Sequence, residues 1–464
     1  MLAKFKKQFI GDKAFYKMVF AIVLPIIIQN TVANFVNLLD NVMVGRLGTE
    51  PMSGVSVANQ LIFVFNLCIF GGLSGAGIFT AQYFGAKDTD GVRYTFRFKL
   101  YTALFVLIAA YVIFLAAAPQ LIKLYLTEDA SGDVAKTLEY GMQYLQVMYL
   151  GIAPFALSQC YAGTLRETGE TVMPMKASVV EVIVNLCLNY VLIFGKFGMP
   201  ALGVRGAAIA TVISRYAGLA ILMIYTHRNH EKHPFIKGAY SSPYIPRRLA
   251  VDIIKKGMPL LANEALWSMG STTLVQKYSM RGLAVIAALN ISSTVSNMFN
   301  VMFMTMGNAV AILVGQALGA NDVEKAKDYV KKLTAFSTMT CLCMGALLIS
   351  LSGILPMMYN TTADVRALAS KFLVASACLM PAFSFANCFY FTLRSGGKTM
   401  ITFVYDCVFS WVVMIPVAHL LVTYTDLPIT FVYPMCQGLE IVKAVYGFYL
   451  VKKGVWINNI VGNN

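Results

Sequence analysis

Four carboxylates fall within long apolar stretches of the chain: Asp40, Glu181, Glu264 and Asp406. A carboxylate held at the centre of such a stretch costs roughly 2.5–3.5 kcal/mol when the surroundings are lipid, so each requires an interior partner or a function. Asp40 lies beside Asn30, Asn34, Asn37 and Asn41, which are spaced 4, 3 and 4 apart and share a narrow stripe of one helix. A stripe of that kind turns inward, toward other helices or water. The chemistry available to it is reversible binding of a proton or of a hard cation such as Na⁺. Asp40, Glu264 and Asp406 are the expected ion-binding groups, and Asn30, Asn34 and Asn37, with Asn189 and Gln276, are expected to line a cavity for an organic solute. Glu181 and Asp406 are read as lying near helix ends, where pairing with Lys or Arg is an equally good role. Lys277 is expected to extend its ammonium to the interface.

The remaining reactive residues form no enzymatic constellation. There is no phosphate-binding Gly-Lys-Ser/Thr loop, no nucleophile elbow and no metalloprotease helix. His227, His230 and His233 sit in a basic, proline-containing segment with no cysteine or carboxylate pair to complete a zinc site. All nine cysteines fall inside apolar stretches and read as packing residues. No cofactor is expected beyond a coupling cation.

The elements that must position these groups are helices in a bilayer. The chain is 58% apolar and 13% charged, whereas a soluble domain carries about 25% charged residues. Hydropathy predicts twelve spans, near 17–43, 53–82, 98–118, 138–164, 175–195, 203–226, 257–280, 284–316, 330–353, 366–392, 399–423 and 429–450. Net charge is +15. Most of the Lys and Arg fall in alternate connections, beginning with Lys4, Lys6 and Lys7, so the charge is a positive-inside signal and calls for no nucleic acid. Both termini are expected in the cytoplasm, at the plasma membrane or, in a bacterium, the inner membrane, with lipids as the surroundings. The basic stretch from His227 to Lys256 is placed to touch anionic headgroups.

The two halves repeat. At an offset of 234, Pro25 matches Pro259, Gly48 matches Gly282, and AQYFGAKD (81–88) faces GQALGAND (315–322); at 228, TLRETGET (164–171) faces TLRSGGKT (392–399). Each unit holds an even number of spans, so the halves share one orientation, which is the parallel-repeat class of transporter. The expected organisation is a lobe over 1–226, a basic linker over 227–256 and a second lobe over 257–464. Pro25 and Pro259 each remove a backbone donor from the first helix of a half and are the candidate hinges.

The proline followed by DNVMVGRLG (40–48), the two LRETGET/LRSGGKT segments, NLCLNYVLIFGKFGMPALGVRGAAIAT (185–211) and Trp411 with Pro416 resemble the multidrug and toxic compound extrusion (MATE) transporters. The resemblance covers essentially the whole chain. It implies an all-α fold of twelve transmembrane helices in two parallel six-helix lobes, monomeric, exporting cationic or amphipathic organic compounds in exchange for Na⁺ or H⁺. It matches Asp40 to the family's acidic residue of the first helix. Asn189 stands where one branch has a second aspartate, Glu264 is similar to a seventh-helix glutamate about one turn away, and Phe383 replaces a tenth-helix aspartate. The same superfamily offers an alternative, a lipid-linked oligosaccharide flippase, which calls for an Arg-rich cavity; Arg215 and Lys277 are the cations read as lying inside spans.

Overall fold

The computed structural model describes residues 9–125 and 133–462, the side chains of residues 37 and 38 apart. Lys4, Lys6 and Lys7 fall outside it. The protein is all-α, with no strand among the described residues. Twelve long helices follow one another: α1 Lys13–Gly45, α2 Thr49–Gly85, α3 Thr89–Lys123, α4 Val134–Glu167, α5 Val172–Phe194, α6 Gly203–Arg228, α7 Arg247–Ser279, α8 Leu283–Gly319, α9 Val323–Leu351, α10 Ala363–Ser395, α11 Thr399–Tyr424 and α12 Ile429–Lys452. Nine of these are long and apolar enough to cross a membrane by composition. The exceptions are α4, α7 and α12. Among them they carry Asn263, Glu264, Glu440 and Lys443, groups that a bilayer tolerates only when they face protein. The chain is a multi-pass membrane protein.

The repeat is written in the backbone as well as in side chains. Gly48 and Gly282 turn the chain out of the first helix of each half with φ of 125° and 122°. Lys87 and Asn321 both adopt φ of 59° after the second, and Gly169 and Gly397 take 85° and 69° after the fourth. Positive φ is costly for residues with a Cβ, so the shared geometry at Lys87 and Asn321 reflects a turn that the surrounding contacts impose.

Two compact units divide the chain. One comprises Leu24–Thr80 with Thr89–Ile253. In it Lys99, which is 1% exposed, pairs with Glu167 and donates to Thr164 Oγ1 at 3.0 Å. The segment after α6 folds back on α3, where Arg97 Nε donates to the Ala239 carbonyl and Nη1 to that of Tyr244, both at 2.8 Å. Glu170 fastens the same segment through Lys232 and Tyr225. Burial raises that carboxyl, but the bonds from these two donors outweigh it and leave Glu170 below the usual carboxylate range.

The other unit comprises the chain up to Val23, Ala81–Asp88 and Ile254 onward. Its core gathers Tyr278, Leu289, Phe372 and Tyr433 at one level and Val295, Phe303, Leu348 and Met380 at another. The end of α2 crosses α8 at two glycines. A Cβ on Gly85 would overlap the Gln316 carbonyl, and one on Gly319 would overlap that of Gln82. Gln82 is fully buried; it donates to the Ser395 carbonyl at 2.8 Å and accepts from the Ile460 N–H at 2.8 Å, which ties the C-terminal segment to this crossing.

Candidate functional site

In the first unit the polar centre is built by α1, α5 and α6. Asn185 and Asn189 are one helical turn apart on α5 and therefore share a face. Asn189 Nδ2 donates to Asp40 Oδ1 at 2.6 Å and to Asn185 Oδ1 at 3.0 Å. With its amide turned over, Asn185 also donates to Asp40 at 2.9 Å and accepts from Thr211 Oγ1 at 3.2 Å. Both asparagines are buried. Among the described residues no Lys, Arg or His forms an ion pair with Asp40. The carboxylate is thus held by neutral donors, an arrangement in which its charge remains open to a proton or a small cation.

Of the other residues on the α1 stripe, Asn30 is half-buried and Asn34 exposed; the Asn37 side chain lies outside the described residues. One residue before Asn30, Gln29 Nε2 donates to Ser178 Oγ at 2.7 Å. Glu181 faces Arg215, the cation that attracts it, and Arg215 itself donates to the Gly151 carbonyl at 3.1 Å.

The second unit contains a charged centre. Lys443 Nζ on α12 donates to Asp406 Oδ1 at 2.7 Å and lies 3.3 Å from Glu440 Oε1. Asn263 Nδ2 on α7 donates to Asp406 Oδ2 at 3.0 Å. Glu264 is adjacent in sequence and is attracted by Arg394 of α10. Asp406 does not sit at a helix end as its sequence position suggests. It occupies a π-helical turn, Val404–Val408, inside α11, followed by a second over Ser410–Met414. Such widened turns are rare and recur at functional positions. Trp411 pins the second of them to α7 by donating to the Leu266 carbonyl at 2.9 Å.

Gln276 is exposed near the end of α7, away from the residues bonded to Asp406, and Lys277 is partly exposed beside it. The reading that Arg215 and Lys277 are the cations within the spans is corrected: Lys99 and Lys443 are buried in α3 and α12. Their partners are carboxylates brought from helices far away in sequence or one turn off, Glu167 and the Asp406–Glu440 pair. Only the i, i+3 spacing of Glu440 and Lys443 was available as a signal. Asn185 and Asn263 carry no distinguishing signal in the sequence, because an asparagine on a span reads equally well as interhelical glue.

A bundle of this kind with a carboxylate held by amide donors in one repeat and an ion cluster in the other defines a membrane transporter of the duplicated class. The family model MatE matches residues 25–191 and 259–420, once over each half, and the chain belongs to that family, the MATE transporters. It is 27% identical over 441 residues to "Probable multidrug resistance protein YoeA" of Bacillus subtilis (strain 168), covering 92% of this chain and 91% of that one. It is 25% identical over 420 residues to "Probable multidrug resistance protein NorM" of Halalkalibacterium halodurans, covering 89% and 88%. Among solved structures, the fold matches an outward-facing conformation of a multidrug resistance MATE family transporter of the MOP superfamily with a TM-score of 0.83 at 19% identity, covering 95% of each chain.

Proposed function

We propose that the protein is an ion-coupled multidrug exporter, a secondary antiporter that moves cationic or amphipathic organic compounds outward in exchange for H⁺ or Na⁺ by alternating access. The observation that carries the reading is Asp40, a carboxylate on α1 secured by amide donors, with no Lys, Arg or His in an ion pair with it among the described residues. The names of the relatives, both multidrug resistance proteins, supply the substrate class. Asn30, Asn34, Asn37 and Gln276 are the proposed contacts for the organic solute, Glu264 and Asp406 the carboxylates that balance Asp40 in the second lobe, and Pro25 and Pro259 the hinges. The working arrangement is a monomer in the bacterial inner membrane with lobes at 1–226 and 257–464, the linker 227–256 and both termini on the cytoplasmic side. A flippase for pyrophosphate-linked sugars would need unengaged cations. Arg215 and Lys443 are instead bonded to protein groups, which supports the exporter.

The coupling energy depends on the charge of the solute: for a neutral substrate the ion gradient and the potential add, and for a monocation exchanged one for one the electrical part cancels. A tenfold ion gradient supplies about 1.4 kcal/mol and a potential of 100 mV about 2.3 kcal/mol per charge. In everted vesicles loaded by a pH or Na⁺ gradient, ethidium transport is expected from the wild type and at least a tenfold loss from Asp40→Asn. Gradient-driven transport undiminished in that variant removes Asp40 from the mechanism.

A further inference from the structure

The charged centre of the second unit has a property that the exporter reading leaves unused: its carboxylates already hold a cation of the chain's own. Lys443 is 8% exposed. Its ammonium touches Asp406 and Glu440 and faces the ring of Tyr405, 5.5 Å from the centroid. Two carboxylates and an aromatic face make the surroundings that a desolvated monovalent cation takes. Asn263, 3% exposed, donates to the far oxygen of Asp406, and its own Oδ1 has no partner among the described residues. An unmatched buried acceptor beside carboxylates marks a place suited to a positive charge.

The internal repeat shows what is peculiar to this unit. The offset of 228 sets Lys443 opposite Arg215 and Asp406 opposite Ser178, and the offset of 234 sets Asn263 opposite Gln29. The amide bond recurs, since Gln29 donates to Ser178 as Asn263 donates to Asp406, and the Gln29 Oε1 is likewise without a partner among the described residues. The contact ion pair does not recur at these positions. Ser178 carries no charge for Arg215 to meet; Arg215 bonds the Gly151 carbonyl, and the carboxylate that attracts it is Glu181, with no ion pair within 4 Å among the described residues. Asp40 has Leu274 as its repeat counterpart. One unit therefore has a carboxylate, Asp40, with no cation in contact among the described residues, and the other has an ammonium in contact with two carboxylates.

We propose that Lys443 is the resident cation of the second unit, a tethered ammonium that occupies the Asp406–Glu440 pair in place of a mobile monovalent cation, so that Asp40 alone exchanges its ion during turnover. The word turnover rests on the exporter reading, whereas the occupancy is a property of binding and is measured without transport. One exchanging carboxylate means one coupling ion per cycle. For a monocationic substrate exchanged one for one, the membrane potential then contributes nothing and the ion gradient alone drives export.

The test uses the purified full-length protein in an Asp40→Asn background, which removes the first unit's carboxylate from the measurement. Thermal unfolding is compared in NaCl and in choline chloride at equal ionic strength. The parent variant is expected to unfold at the same temperature in both salts. Adding Lys443→Ala is expected to create a saturable, Na⁺-specific rise of roughly 3 °C or more, and further adding Asp406→Asn is expected to abolish it. Removing Lys443 alone leaves two buried carboxylates uncompensated, so Lys443→Gln with Glu440→Gln provides a second, milder variant in which Asp406 is exposed to solvent ions; it should show the same Na⁺ preference. A Na⁺ preference already present in the parent, none in either Lys443 variant, or one that survives Asp406→Asn overturns the proposal.

Discussion

If Asp40 gains and loses an ion on every cycle, as proposed, it needs neighbours able to meet both of its states, and the neighbours it has are amides. Asn189 donates to the charged carboxylate at 2.6 Å. With its amide turned over, Asn185 presents its N–H₂ to Asp40 and its oxygen to Thr211. An amide can thus donate to a carboxylate and accept from a carboxylic acid without a new side chain entering. A lysine at the same place would put a cation of the chain against the carboxylate, as Lys443 is against Asp406. A hydrogen bond to a charged group contributes about 1.5–3 kcal/mol. Asn189→Ala is therefore expected to lower the rate of gradient-driven ethidium transport by roughly tenfold or more, while the variant remains folded and in the membrane. A rate within twofold of wild type would show that Asn185 and Thr211 position Asp40 without it.

The elements hold these residues in place through a few close backbone approaches, and the crossing of α2 and α8 is one of them. Gly85 and Gly319 are repeat counterparts that each face the other helix's carbonyl, at Gln316 and Gln82. Because the obstructing atoms are backbone, neither helix can yield by turning a side chain. Gly319→Ala should cost at least the 1–3 kcal/mol or so typical of overpacking and lower the melting temperature of the purified protein. Gly438→Ala is the control, since a Cβ there meets nothing within 4 Å and alanine favours the helix by about 1 kcal/mol. Equal melting temperatures for the two variants would show that the crossing has slack. The sequence disclosed the twelve helices, because each is an apolar run bounded by turn residues, and it disclosed the repeat, because GQALGAND and AQYFGAKD preserve the glycines that this crossing requires. It singled out Asp40 as a candidate through the neighbouring asparagines, of which Asn34 and Asn41 are exposed. It could not disclose the Lys443–Asp406 pair or the Asn189–Asp40 bond, since pairings across 37 and 149 residues depend on how helices pack. The π-turns of α11 were hidden for a related reason: nothing in VYDCV or SWVVM differs from an ordinary apolar helix.

At the scale of the molecule, the chain passes between the two units within continuous helices as well as at their ends. α1 leaves one unit and enters the other between Val23 and Leu24, two residues before Pro25. α7 makes the reverse passage between Ile253 and Ile254, a few residues before Pro259. In each half, then, the first helix carries its proline where it changes allegiance. Proline inside a helix is disfavoured by about 3 kcal/mol relative to alanine, because it lacks an N–H and crowds the preceding turn. A bend at that position relieves part of the strain, so the proline narrows the free-energy difference between straight and bent forms of the helix. Replacing it with alanine stabilises the straight form. If alternating access bends these helices, Pro25→Ala and Pro259→Ala should each raise the melting temperature while slowing gradient-driven ethidium transport at least threefold to tenfold, about 0.7–1.4 kcal/mol on the barrier. Ethidium binding measured without a gradient should remain within twofold of wild type, because neither proline offers a polar group to the solute. A loss of binding in step with transport would make the prolines part of the cavity wall, and unchanged transport in both variants would mean that the helices pass from unit to unit without bending there.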